Sequence, residues 1–208
     1  MDATTLLTNT GARNRFARIQ RSSLEIAMSD LEAARLLILS ERTFRFVEEQ
    51  QRKGFDYDIE VTFRAPLTLC CESKCKVETT DLSHRTIFNS LRKAASQLPA
   101  KEPGAIFVKI PEPWISTPAA TSKIKVALDE FYKKSGRTAE VIFHWEEWHA
   151  LKSGTLLRLA KFREEINRQS RFFDSQLFPF LRTWSPIWNP PSWTRFTDAI
   201  SSARGSTR

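Results

Sequence analysis

Glycine is scarce in this chain, six among 208 residues, and no glycine-rich loop of the kind that cradles nucleotide phosphates occurs. That absence argues against a nucleotide-hydrolysing motor. No G-x-S-x-G is present, so the serine elbow of an α/β hydrolase is missing too. The three cysteines are odd in number and clustered at Cys70, Cys71 and Cys75, which is no disulfide framework. A reducing cytoplasm is the expected setting. No segment reaches the roughly 18 to 20 apolar residues of a membrane span. The N-terminus has no apolar stretch after its first charges, so no signal peptide is expected and the membrane is not an expected partner.

What is present is an apolar content of 41% and an aromatic content of 11%, enough for one ordinary domain to bury a core. The net charge is +8, which favours a polyanionic partner, nucleic acid or an anionic membrane. Residues 1–21 form a basic arm carrying Arg13, Arg15, Arg18 and Arg21. Residues 22–149 read as an α/β core. Residues 150–200 read as a basic extension rich in Trp, Phe and Pro, and 201–208 as a small, polar, disordered tail.

Within the core, Ser22 and Glu25 form a capping box. A helix follows, with Leu24, Ala27, Met28, Leu31, Ala34 and Ile38 on one stripe and Glu25, Ser29 and Glu32 beside it. Residues 43–48 read as a first strand and 50–54 as a turn. Residues 56–63 alternate Asp56, Asp58 and Glu60 against Tyr57, Ile59, Val61 and Phe63, a half-buried strand. After Ala65-Pro66 a third strand returns over 67–74. Residues 83–98 make an amphipathic helix, 105–110 a buried strand, 121–135 a helix and 138–145 a further strand. The order is α-β-β-β-α-β-α-β, a mixed sheet with helices on its faces. Residues 151–171 read as a basic helix with Arg158, Lys161, Arg163, Arg168 and Arg171. The aromatic segment 172–193 packs back on the domain, docks a partner or stacks on single-stranded bases.

The third strand ends in Glu72-Ser73-Lys74. Strand alternation puts Glu72 and Lys74 on one face, with Asp56 and Asp58 a short distance upstream. Two acids and a lysine converging at a sheet edge are the parts of a metal-dependent phosphodiesterase. Two other clusters lack the spacing of a metal site. Cys70, Cys71 and Cys75 with His84 lack knuckle spacing, and His144 with His149 lacks the spacing that aligns two ligands on a helix.

With GFDYDIEV at 54–61, LTLCCESK at 67–74 and that element order, residues 22–145 resemble the PD-(D/E)XK nuclease superfamily, the restriction-endonuclease-like fold. The resemblance implies a Mg²⁺- or Mn²⁺-dependent nuclease acting on DNA, as a homodimer or in a larger assembly. It implies that Asp58 (or Asp56) and Glu72 bind the metal and that Lys74 positions water, with Lys76 as its competitor. A first-helix glutamate, Glu25 or Glu32, would assist. His84, Arg85, Arg92, Lys93, Arg158 and Lys161 would grip backbone phosphates. A non-catalytic member of the same fold, binding nucleic acid or protein, is the alternative.

Overall fold

The computed structural model describes residues 24–48, 54–64, 67–77, 79–150 and 156–181; the side chains of 25–27, 63, 64, 67, 149 and 156–159 lie outside the described set. The expectations for the 1–21 arm, the turn at 50–53, the segment 182–200 and the tail therefore fall outside the described residues. The same is true of the side chains of Glu25 and Arg158.

Helix α1 (Leu24–Leu39) opens the described chain. It closes on Glu41, whose positive φ of 55° turns the backbone so that Arg42 N–H bonds back to Leu37 O at 2.9 Å. Strand β1 (Phe44–Phe46), β2 (Ile59–Arg64) and β3 (Leu67–Cys75) form an antiparallel meander. Helix α2 (His84–Gln97) crosses to β4 (Gly104–Lys109), parallel to β3. Its N-cap is Ser83, whose hydroxyl accepts the Thr86 N–H at 3.0 Å. Helices α3 (Glu112–Ser116) and α4 (Ala120–Tyr132) then cross to β5 (Thr138–Ala150), parallel to β4. Strand β6 (Leu156–Ile166) returns antiparallel to β5.

The six strands lie in chain order across one sheet. Both parallel crossovers therefore step the same way, and equal handedness puts α2 and α4 on one face. That face is a cluster of Ile87, Leu91, Ile124, Phe131, Ile106, Val108, Val141 and Phe143. The opposite face is covered by α1 and by the segment after β6, around Leu37, Phe46, Phe107, Ile142 and Phe180.

The expected α/β class with a mixed sheet flanked by helices is what the structure has. Two expectations are corrected. Of the helix read over 151–171, the described residues 156–166 are strand β6. Pairing with β5 from Glu140↔Ile166 to Ala150↔Leu156 overrides the helical propensity of a Leu-, Lys-, Arg- and Glu-rich stretch. A boundary between 149 and 150 would cut this hairpin in two, so β6 belongs to the core sheet and not to an appendage. The second strand starts at Ile59, leaving Asp56 and Asp58 just before it.

The chain beyond β6 packs back, as far as it is described. Phe178, Phe180 and Leu181 are buried. Arg42 Nε donates to Phe180 O at 2.8 Å, and Leu181 N–H donates to Glu164 Oε1 at 2.8 Å. Glu140, fully buried, accepts the Phe180 N–H at 3.4 Å; burial first, then the Glu164 carboxylate, pushes its carboxyl well above the usual range.

Candidate functional site

The β2–β3 pairing brings the acids together. Its register, Ile59↔Cys71, sets Asp58 opposite Glu72 one step beyond the last ladder pair. Asp58 N–H donates to Cys71 O at 3.0 Å, and Ser73 N–H donates to Asp58 Oδ2 at 2.8 Å, so the aspartate is fastened to β3 at both ends. Two residues on, Lys74 reaches back along the same face and its ammonium pairs with Glu72 Oε1. Glu72 pairs in register with Ile106, and Lys74 with Val108, so both point to the α2 and α4 side of the sheet.

Glu72 is only 3% exposed. Burial, then the Asp58 carboxylate, pushes its carboxyl up to about 9 against the pull of Lys74. Its second oxygen, Oε2, receives no hydrogen bond. The cluster is thus two abutting carboxyl groups and one ammonium, with more acid than donors to satisfy it. Lys76 is not in the pair. It lines a neighbouring cleft with Cys75, Lys109 and Trp148, and burial is the first cause lowering its pKa.

The other sequence-predicted residues divide. Asp56 lies before β2, half-buried, and the register places Asp58 rather than Asp56 opposite Glu72. Glu60 is tied to Arg45 at 2.8 and 3.0 Å and to the Tyr57 hydroxyl at 2.8 Å, an ion pair on the meander. Glu32 is corrected: it sits on the opposite face of the sheet. There it pairs with Lys109 at 2.7 Å, and His144 Nδ1 lies 3.7 Å from its other oxygen. The same α1 face brings Ser29 Oγ to Ser73 Oγ at 2.9 Å.

His84 and Arg85 are exposed on the first turn of α2, which the crossover places beside the C-terminal end of β3. Arg92 and Lys93 are exposed further along the helix. Lys161 is corrected as a phosphate contact. It is 4% exposed and its ammonium is spent on Glu147 Oε2 at 2.5 Å. None of the cysteines is in a disulfide, and Cys70 and Cys71 are buried; burial pushes the Cys70 thiol up to about 12, so it stays protonated.

Among the described residues, no group of three or more His, Cys, Asp or Glu side chains is placed to hold a metal. Among them also, no helix is long and apolar enough to cross a membrane. A feature the sequence reading missed is a basic cleft at the other end of the sheet. It gathers Arg92 from α2, Lys134 and Arg137 from the turn between α4 and β5, and Arg171 from the chain after β6, so no local motif announced it. No family model matches the chain, and neither a curated protein nor a solved structure matches it significantly.

Proposed function

We propose that this chain hydrolyses phosphodiester bonds in DNA at the Asp58–Glu72–Lys74 cluster, with Mg²⁺ or Mn²⁺ as cofactor, on a restriction-endonuclease-like fold. The observation that carries the reading is the register that sets Asp58 against Glu72 while Lys74 pairs with Glu72 on the same face. The α-β-β-β-α-β order of α1 through β4 supports it.

The residues fit a hard cation. Both acids offer only oxygen, they repel one another across the hairpin, and Glu72 Oε2 receives no donor. Asp58 and Glu72 would hold the ion, which supplies Lewis acidity at the phosphate and lowers the pKa of a bound water. Asp58 is pre-oriented by the Ser73 N–H, so its carboxylate is held in place without a rotamer search. Lys74 pulls Glu72 toward its ionised form, as a shared cation would, and its remaining N–H groups can hold water or a phosphate oxygen. His84 and Arg85 stand at the same end of the sheet to receive a phosphate backbone.

A second reading has its own observation. Glu72 is nearly closed to solvent and its partner ammonium is already in place. On that reading the pair only fastens β3, and the protein binds nucleic acid or a protein partner without cutting.

Cleavage of supercoiled plasmid and of single-stranded DNA in Mg²⁺, Mn²⁺ or EDTA separates the two. Glu72→Gln and Lys74→Met are each expected to lower metal-dependent cutting about a hundredfold or more. Circular dichroism checks that both variants are folded. Cutting by a folded Glu72→Gln protein at the parental rate sinks the assignment of the site. No cutting by any folded preparation moves the function to binding.

A further inference from the structure

The Glu72 cluster lies toward the C-terminal ends of β3 and β4. The basic cleft lies at the opposite end, where α2 finishes and β5 begins, and encloses about 430 Å³. That is within the range of small-ligand sites, roughly 300 to 1,000 Å³. Phe88 and Arg92 come from α2, Lys134, Gly136 and Arg137 from the turn between α4 and β5, and Arg171 from the turns after β6. No Asp or Glu is among the residues lining it.

Two of the cations, Arg137 and Arg171, are held in place by neutral partners. Arg137 Nη1 donates to Leu98 O at 2.9 Å, and Arg171 donates to Ala100 O. Arg171 also lies over the Phe172 ring at 4.8 Å. Lys134 lies over the Phe88 ring at 4.8 Å and pairs with Glu130 at 2.8 Å. Among the described residues Arg92, Arg137 and Arg171 form no ion pair with a carboxylate. Burial, and then the neighbouring Arg171, lower the Arg137 pKa, the mark of like charges held close. Backbone carbonyls thus pay to position guanidinium groups that repel one another, and a multivalent anion relieves that repulsion. Guanidinium forks match phosphate geometry, and Phe88 supplies an apolar wall beside them.

We infer that this cleft is a second binding site, specific for the phosphate of a nucleotide, either free or within a single strand. The inference does not depend on whether the Glu72 cluster cuts DNA.

Gly136 gives a clean test. A Cβ built there meets nothing within 4 Å, so Gly136→Glu adds a carboxylate to the cleft without displacing a neighbour. Gly136→Gln adds the same bulk without charge. Thr121→Glu, exposed on the first turn of α4, matches the change in net charge away from the cleft. Binding of the full chain to a labelled oligothymidylate and to adenosine monophosphate is measured in EDTA, which silences any metal-dependent cutting. Gly136→Glu is expected to weaken the bound probe about tenfold, with Gly136→Gln and Thr121→Glu close to the parent. Loss for the oligonucleotide alone identifies strand phosphates as the ligand; loss for the mononucleotide identifies a free nucleotide. Equal binding by parent and Gly136→Glu, equal loss in the Glu and Gln variants, or no binding of either probe overturns the inference.

Discussion

His144 shows how a single residue on β5 sets an acid limit on the fold. Its ring is buried against Phe107, with Glu32 on one side and the Lys109 ammonium near it. Nε2 has no hydrogen-bond partner. Burial first and Lys109 second hold its pKa down to about 3, against an ordinary value of 6.5, so the Glu32 carboxylate does not rescue the cation. The sign follows from linkage. Below the ordinary pKa the unfolded chain takes up a proton that the folded protein refuses, so stability falls as pH drops from 6.5 toward 3. The loss is about 1.4 kcal/mol per pH unit at its steepest. Urea unfolding at pH 7 and pH 5 should therefore show a loss of roughly 2 kcal/mol in the parent and a much smaller one in His144→Leu. An identical acid sensitivity in the two proteins would remove His144 from the account. Asp58 and Glu72 make the complementary case. Period-two alternation was enough to put Glu72 and Lys74 on one face, but choosing Asp58 over Asp56 needed the ladder register, which no residue spells out.

Elements were legible where one period held and failed where two competed. The meander β1–β3 and the helices α2 and α4 announce themselves through alternation, a Ser83 cap and apolar stripes. The stretch Leu156–Ile166 offers charges and leucines that suit a helix, yet it is a strand because β5 presents an unpaired edge along its whole length. That reversal moved Lys161 from a solvated helix face to a buried pair with Glu147. The segment after β6 completes the same structure. Phe180 is fully buried and meets Phe107 edge to face, with centroids 6.0 Å apart. Phe180→Ala should cost ~3–5 kcal/mol, as for other fully buried phenylalanines. A loss below 1 kcal/mol in denaturant titration would mean that this segment rests on the sheet without sealing it.

Across the whole molecule, one sheet ties early and late chain together. Arg42, after α1, holds Phe180 O, while Glu140 on β5 and Glu164 on β6 hold the Phe180 and Leu181 amides. Asn167, buried at the end of β6, donates to Ser135 O at 3.0 Å and Thr138 O at 2.8 Å, closing the turn that starts β5. These ties explain why the cleft escaped a linear reading. Arg92 and Arg171 become neighbours of Lys134 and Arg137 only when α2, the turn between α4 and β5, and the chain after β6 share one end of one sheet. They also predict how the molecule unfolds. A core over 22–149 with a detachable extension would melt in two steps, the extension first. A sheet whose last strand pairs with β5 throughout, and whose α1 face is sealed by Phe178–Leu181, should lose both together. Far-ultraviolet dichroism follows the backbone, and the fluorescence of Trp114 and Trp145, with the other four tryptophans replaced by Phe, follows the α2 and α4 face. Coincident urea transitions by both probes, with Phe180→Ala shifting both midpoints equally, are the expected result. Separated midpoints, or a Phe180→Ala shift in one probe alone, would mean that the two faces of the sheet are independent units.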